Sequence, residues 1–329
     1  MTHKSSIIPA SAALLLTLLG TAGCSKQQAV QSPAQGNFPA DHVIRVAPQV
    51  AATKGSYTAD NLTKFDLLVE DSNNPKYTYS NTVFEKGESG WTSDSLLLWS
   101  KSDAEVLVYA IAPSVGTEGS VSVSAVNGDG ASLEVQAEQS KDDFSSDFLG
   151  WASGQKKVDD LLGTDGKLSF AFTHLLTRFT VTFKLGTEFN VSGVPQQDIL
   201  SDVVISGTVR DFKLKGVDSE YTSFSIEPGT AASDVKAYNV DWSSAADAQG
   251  SCTSVCECIL VPQTVAKGGL KISFKAAGKN YEWVSAAGYT LNGNTAYTLT
   301  LKVGKDAVIA GGFTATAWTE TPGGSLYTE

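Results

Sequence analysis

Three cysteines lie close together in the second half of the chain, at a spacing that could hold a metal ion or form a disulfide. Cys252, Cys256 and Cys258 form a C-x3-C-x-C pattern. A structural zinc site needs a fourth ligand, and no histidine or further cysteine lies near these three in the sequence. In an exported protein a disulfide is the favoured outcome. We therefore predict no metal site, and a disulfide from Cys252 across a turn to Cys256 or Cys258 that leaves one free thiol.

The histidines and acidic residues form no catalytic pattern. His174 is the one histidine in the body of the chain after the N-terminal segment, and His42 lies at the edge of that body. A Ser-His-Asp triad would have to use one of them, yet no Gly-x-Ser-x-Gly motif accompanies either. A histidine at a strand end that hydrogen-bonds a carbonyl is the favoured interpretation of His174. We predict no catalytic residues, no cofactor and no enzymatic function.

The N-terminus is a targeting segment. Lys4 precedes a short apolar run from Ile7 to Leu19, which is too short to remain as a membrane-spanning helix. The run ends in Leu-Gly-Thr-Ala-Gly-Cys, and small residues directly before a cysteine resemble the lipobox of bacterial lipoproteins. This resemblance implies a signal peptide over residues 1–23 and a palmitate-bearing lipid on Cys24. An ordinary secretory signal that contains a cysteine is the alternative.

Composition separates a polar tether from a globular body. Residues 24–40 are rich in Gln, Pro and Gly and have no apolar period, so we predict a tether. The whole chain is 42% hydrophobic and 18% charged, which is typical of a protein with a core. Its net charge of −11 argues against nucleic acid as a partner, because phosphate binding needs a basic surface.

Alternation of apolar and polar residues between Gly and Asn turns predicts strands through most of the body. Leu270–Lys275 and Tyr297–Val303 alternate in this way, as expected for strands with one face buried. Val106–Ala112 is apolar on both faces, which favours a central strand. Because a half-buried sheet needs a cover, we predict an all-β protein in which sheet packs on sheet.

A change of phase marks a boundary in the middle of the chain. The apolar residues occupy even positions in Leu168–His174 and odd positions in Phe179–Leu185. A shift of one residue exchanges the two faces of a strand, so a bulge, a bend or a change of sheet must lie between them. We predict two domains here, residues 41–175 and residues 176–329.

The order of these motifs resembles the fimbrillin-like lipoproteins, which are pilus and surface proteins of Gram-negative anaerobes. The resemblance covers nearly all of the mature chain and rests on several short motifs. They are Trp91 and Trp99 before an apolar strand ending in Ala-Pro, Asp-Phe-Leu-Gly-Trp-Ala at 147–152, Phe-Thr-His-Leu-Leu at 172–176, Val-Pro-Gln at 261–263, Lys-Ile-Ser-Phe at 271–274, Trp283, and Tyr-Thr-Leu-Thr-Leu at 297–301.

Membership of this family would imply both a fold and a function. The fold is two tandem β-sandwich domains of transthyretin-like, Greek-key type. The function is that of a fimbrial subunit, exported as a lipidated precursor, assembled by donor-strand exchange and supporting adhesion. The implied partners are other fimbrial subunits or further copies of the chain, the outer membrane through the lipid, and a host or bacterial surface ligand. The implied location is the outer membrane, the cell surface or the fimbrium. A non-polymerising surface lipoprotein that binds glycan or protein is the alternative.

The resemblance also assigns residues to assembly. Precursors of this family are cut after a basic residue near the first strand, and Arg45, in a strand predicted at Val43–Val46, occupies that place. Lys54 is the alternative cut site, and a solvent-facing strand residue is the alternative interpretation of Arg45. The candidate donor strand is near the C-terminus, where Phe313, Ala315 and Ala317 face one way and Thr314, Thr316 and Trp318 the other.

Overall fold

The structure is a computed structural model. It describes residues 36–50, 57–58, 60–115, 121–192, 196, 199–217, 223–243 and 252–318. The predicted lipidation site Cys24 and the alternative cut site Lys54 lie outside these residues.

The described residues form an all-β protein with two short α-helices, which confirms the predicted class. The strands before residue 175 are β1 (Val46–Val50), β2 (Lys64–Asp71), β3 (Tyr79–Gly87), β4 (Gly90–Thr92), β5 (Glu105–Ala112), β6 (Ala131–Glu134), β7 (Leu149–Ala152), β8 (Lys156–Lys157) and β9 (Leu168–His174). The helices are α1 (Val123–Asn127) and α2 (Val158–Leu161). Neither described helix is long and apolar enough to cross a membrane.

The remaining strands follow residue 176. They are β10 (Thr177–Leu185), β11 (Leu200–Thr208), β12 (Asp211–Val217), β13 (Ser223–Pro228), β14 (Ser233–Lys236), β15 (Tyr238–Ser243), β16 (Cys252–Leu260), β17 (Gln263–Val265), β18 (Lys271–Ala276), β19 (Lys279–Val284), β20 (Tyr289–Leu291), β21 (Thr295–Val303) and β22 (Val308–Ala317).

Two sheets position the residues that concern function. The eight-stranded sheet has the order β1-β9-β7-β5-β2-β3-β4, with β8 beside β5. The five-stranded sheet has the order β15-β16-β10-β21-β22. Smaller sheets join β14-β11-β18-β19, β13-β12-β6 and β17-β20. The edges of the two large sheets are therefore β1, β4, β15 and β22.

Strand β5 is central and separates two hydrophobic clusters, as its doubly apolar sequence predicts. Val106 and Val108 belong to a cluster within the first half of the chain, whereas Leu107 and Tyr109 belong to a larger cluster that extends into the second half. Successive side chains on a strand point to opposite faces, so β5 contributes to both clusters. Such a strand is held by packing on both sides.

The predicted change of phase is a change of sheet. Strand β9 buries its even positions within the eight-stranded sheet, and β10 buries its odd positions within the five-stranded sheet. The boundary predicted at residues 175/176 falls between these strands. Across it, β6 pairs with β12, and the larger hydrophobic cluster holds side chains from both halves of the chain. The division into two domains of Greek-key type stays a prediction.

Candidate functional site

Arg45 is the last residue before the first strand. The sequence predicted a strand at Val43–Val46, but β1 begins only at Val46 and pairs in parallel with β9. Residues 41–45, here called the N-terminal arm, lie instead beside residues 97–99. Two backbone hydrogen bonds join them, from Ile44 N to the Leu97 carbonyl at 2.9 Å and from Trp99 N to the His42 carbonyl at 2.8 Å.

The arm covers apolar surface while its basic side chain stays accessible. Ile44 is only 4% exposed and lies in the same cluster as Trp99, whereas the Arg45 side chain is 46% exposed. The Arg45 guanidinium donates to both carboxylate oxygens of Asp41, at 2.9 and 2.5 Å. This pairing holds the pKa of the Asp41 carboxyl well below its usual range and raises the pKa of Arg45. A protease must break this surface ion pair to bind Arg45.

Strand β22 is a long edge strand with little side-chain burial. It pairs antiparallel with β21 from Thr295↔Ala317 to Val303↔Val308, and its other edge has no strand partner among the described residues. Most of its side chains are exposed to solvent. The register shifts between Thr300 and Leu301, because Gly311 lies unpaired between Gly312 and Ala310. Main-chain hydrogen bonds therefore hold most of this strand.

Phe313 makes the main apolar contacts between β22 and its neighbours. Its ring centroid lies 4.3 Å from Tyr289, 5.5 Å from Tyr297 and 6.4 Å from Phe179. Ala315 and Ala317, the other two donor candidates, are exposed. The structure thus places one large side chain and two small ones on the predicted donor face.

Trp318 does not share the exposed environment of Thr314 and Thr316, the residues whose strand face the sequence assigned to it. Strand β22 ends at Ala317, so strand alternation no longer sets the direction of Trp318, and the indole is only 3% exposed. It stacks on the ring of His174, with centroids 3.9 Å apart and planes 6° apart. Its backbone N–H donates to the Asn294 carbonyl at 3.0 Å. Trp318 therefore fixes the end of β22 to the end of β9.

His174 contacts a carboxylate, and its predicted hydrogen bond to a carbonyl stays a prediction. Its Nδ1 lies 2.8 Å from Oδ1 of Asp147, and both side chains are almost completely buried. The other oxygen of Asp147 accepts the backbone N–H of Tyr57 at 3.1 Å. Asp147, His174 and Trp318, here called the junction cluster, thus connect three distant parts of the chain. Their sequence separation gave no local signal for this contact.

We predict that Trp318→Ala destabilises the protein by about 3 kcal/mol, because a buried indole and its stack on His174 are lost. Urea unfolding measures the change. Thr316→Ala is the matched control, since Thr316 is exposed on β22 and its loss should change stability by less than about 0.5 kcal/mol. Equal stability of the two variants would contradict a role of Trp318 in fixing the strand.

The three cysteines share one strand, so the predicted turn between them is absent. Cys252, Cys256 and Cys258 are buried on β16, which pairs with β10 without interruption. At about 3.4 Å per residue, four residues along a strand separate two Cα atoms by about 14 Å. A disulfide reaches only about 7 Å between Cα atoms.

All three cysteines are therefore free thiols, and the predicted bridge from Cys252 is not formed. Burial raises the pKa of Cys256 to about 12 and raises that of Cys258 well above its usual value. Reactive cysteines need a low pKa and access to solvent. These cysteines are core residues rather than a redox site.

Comparisons with solved structures agree with this fold. A candidate cell adhesion protein of Bacteroides ovatus has a TM-score of 0.56 at 14% identity, over 85% of this chain and 98% of that chain. A second such protein, from Bacteroides uniformis, has a TM-score of 0.54 at 16% identity, over 85% and 100%. The tip fimbrial protein Mfa3 of Porphyromonas gingivalis, with a C-terminal truncation, gives 0.50 at 10%, over 84% and 98%. At these identities the likeness concerns the fold alone.

The family is shown by a separate comparison. No match was found among curated proteins. The model of the fimbrillin-like family, however, matches residues 49–318, which is most of the chain. This family consists of structural and adhesion proteins rather than enzymes. The chain therefore belongs to the fimbrillin-like family, whose members are fimbrial or adhesion-related surface proteins.

Proposed function

We propose that this chain is a fimbrial subunit, exported as a lipidated precursor and assembled by donor-strand exchange. The observation that carries the proposal is β22, a ten-residue edge strand held mainly by main-chain hydrogen bonds. In donor-strand addition the main chain supplies affinity, and alternate side chains fill pockets of the acceptor. A strand with few buried side chains loses little packing free energy when it leaves one sheet edge and pairs with another.

The donor face consists of Phe313, Ala315 and Ala317. Phe313 already packs among aromatic rings at its present edge, so it is suited to the largest pocket of an acceptor groove. The unpaired Gly311 precedes this face and gives the main chain a point at which to bend. Release of the strand also requires Trp318 to leave His174.

The acceptor site arises from cleavage at Arg45. A cut there detaches the N-terminal arm, removes Ile44 from the core and leaves the Leu97 carbonyl and the Trp99 N–H without partners. Strand β1 stays on β9, because it begins after the cut. A cut at Lys54 would remove β1 as well and open the edge of β9, where Phe170 and Phe172 belong to the core. The two cuts therefore predict grooves at different edges.

The lipid on Cys24 belongs to the same proposal. It anchors the precursor in the outer membrane, and the tether of residues 24–40 holds the folded body away from the surface. Partners are then other fimbrial subunits or copies of this chain, and a host or bacterial surface ligand. The location is the outer membrane, the cell surface or the fimbrium.

Deletion of residues 315–329 should abolish polymers and leave a folded monomer. The deletion removes Ala315 and Ala317, which are two of the three donor-face residues, and also Trp318. The monomer loses some stability with Trp318 but keeps the buried side chains of β21. Electrophoresis of unboiled protein after cleavage, together with circular dichroism, measures both properties.

The variant that lacks residues 315–329 also tests whether the acceptor groove still works. Mixed with intact cleaved subunits, it should shorten their polymers, because it accepts a strand but donates none. Polymers formed by the deletion variant alone would contradict the proposal. An unfolded variant would favour the alternative, in which β22 is an integral strand of a surface lipoprotein that does not polymerise.

A further inference from the structure

A cavity of about 330 Å³ with both charged and apolar lining residues lies on the five-stranded sheet, on the face turned away from the core. Strands β10, β15 and β16 and the loop before β7 supply its walls. This cavity is distant in sequence from Arg45 and from the donor face, so the proposed assembly does not use it. Its volume lies at the small end of the range of ligand sites, which is about 300–1,000 Å³.

A buried ion pair lines this cavity. Glu257 is only 1% exposed. Its Oε2 accepts a hydrogen bond from Nε of Arg178 at 2.7 Å and lies 2.5 Å from Nη2 of the same guanidinium. Its Oε1 accepts the Tyr238 hydroxyl at 3.1 Å. Burial raises the pKa of the Glu257 carboxyl, and the contacts with Arg178 and Tyr238 oppose that rise. Three donor groups, two from Arg178 and one from Tyr238, hold the Glu257 carboxylate in place.

Hydrogen-bonding capacity remains at this pair. Nη1 of Arg178 carries two N–H donors and has no hydrogen-bond partner among the described residues. Oε1 of Glu257 retains a further acceptor position, because it accepts only the Tyr238 hydroxyl, whereas Oε2 already accepts two N–H groups of Arg178. The Thr180 hydroxyl lies on the same wall, two residues along β10 from Arg178. Fixed donors and acceptors side by side fit a ligand with neighbouring hydroxyl groups.

The opposite wall is shaped by a β-bulge. The register between β15 and β16 shifts between Asn239 and Asp241, so Val240 and Asp241 both line the cavity. On a regular strand two consecutive side chains would point to opposite faces. Bulges commonly re-aim side chains at binding sites. Here the bulge brings an apolar surface and a carboxylate to the same wall.

The charges of the cavity cancel. Lys141 and Arg178 supply two cations, and Asp241 and Glu257 supply two anions. An anionic ligand would meet the two carboxylates, and a cationic ligand would meet the lysine and the arginine. A neutral sugar ring has hydroxyl groups for the fixed pair and C–H groups for Val240 and Val255.

We infer that this cavity binds one neutral sugar residue of a surface glycan. The inference deepens the proposed adhesion function and rests on it for biological meaning, but it needs no polymer. Binding is therefore measured on the uncleaved, soluble monomer, so failure of assembly and failure of sugar binding give different results.

The test titrates the monomer with glucose, galactose, mannose, fucose and N-acetylglucosamine, and observes saturation-transfer NMR. At least one sugar should bind. Thr180→Tyr should weaken that binding by about tenfold or more, because the larger ring fills the cavity and removes contacts. Asp241→Ala should also weaken it, and this exposed position avoids any effect on folding.

Thr298→Tyr is the matched control. Thr298 lies directly beside Thr180 in register, on the same face of the sheet, but does not line the cavity. Its variant should bind as the parent does. Binding of none of the five sugars, binding only of sialic acid added as an anionic comparison, or equal loss in the Thr180 and Thr298 variants would overturn the inference.

Discussion

The Arg45→Ala precursor should stay folded, uncleaved and monomeric under treatment that converts the parent chain to polymer. The side chain lost is exposed and makes a surface ion pair with Asp41 and a long hydrogen bond of 3.5 Å to the Val43 carbonyl, so folding should change little. The chain has three arginines. Arg178 is paired with the buried Glu257, and Arg210 is only 24% exposed. An arginine-specific protease should therefore cut the folded parent chain first at Arg45.

Electrophoresis of unboiled samples and mass spectrometry of the fragments measure this outcome. Lys54→Ala is the control and should be cut and polymerise like the parent chain. Polymers of Arg45→Ala under the arginine-specific protease would contradict the assignment of Arg45, and polymers of this variant that form only after a lysine-specific cut, with a fragment ending at Lys54, would place the cut there. Mass spectrometry of the mature N-terminus in the same samples also tests the lipid on Cys24, and an unmodified Cys24 would contradict lipidation.

Periodic strands were predictable because their pattern is local. The doubly apolar β5, the alternating β21 and the phase change between β9 and β10 all follow from which residues can face a core. The predicted first strand began too early, because Ile44 is an apolar residue that is buried in the arm beside residues 97–99. A buried apolar residue gives the same sequence signal in such an arm as in a strand.

The remaining features depend on contacts that sequence patterns do not encode. The supposed turn between Cys252 and Cys256 is absent, since nine residues continue as one strand beside β10. The stack of Trp318 on His174 and the pair of Arg178 with Glu257 join residues far apart in the chain. These residues meet only because of which strands pair and where those strands end.

A disulfide that fixes β22 to its own sheet should prevent assembly completely. Thr298 on β21 and Thr314 on β22 are directly opposite in the antiparallel register. Directly opposite Cβ atoms lie about 4.5–5.5 Å apart, close to the separation that a disulfide needs. The double variant Thr298→Cys/Thr314→Cys can therefore form this bond. Cys252, Cys256 and Cys258 are buried with raised pKa values, so they compete poorly for oxidation.

The disulfide locks the strand without removing any residue of the donor face. The disulfide therefore tests whether release of β22 is needed for assembly while every donor residue is still present. A deletion removes donor residues and cannot test release alone. The single variants Thr298→Cys and Thr314→Cys, oxidised in the same way, control for the added thiols and should polymerise like the parent chain.

The direct measurement is polymer formation by the double variant after cleavage at Arg45, compared before and after reduction of the disulfide. Donor-strand exchange through β22 predicts monomers only while the bond is intact, confirmed by mass spectrometry, and polymers at the parent level once it is reduced. Polymers formed at the parent level by the oxidised, fully bonded double variant would show that β22 stays in its own sheet, and would contradict the proposed assembly.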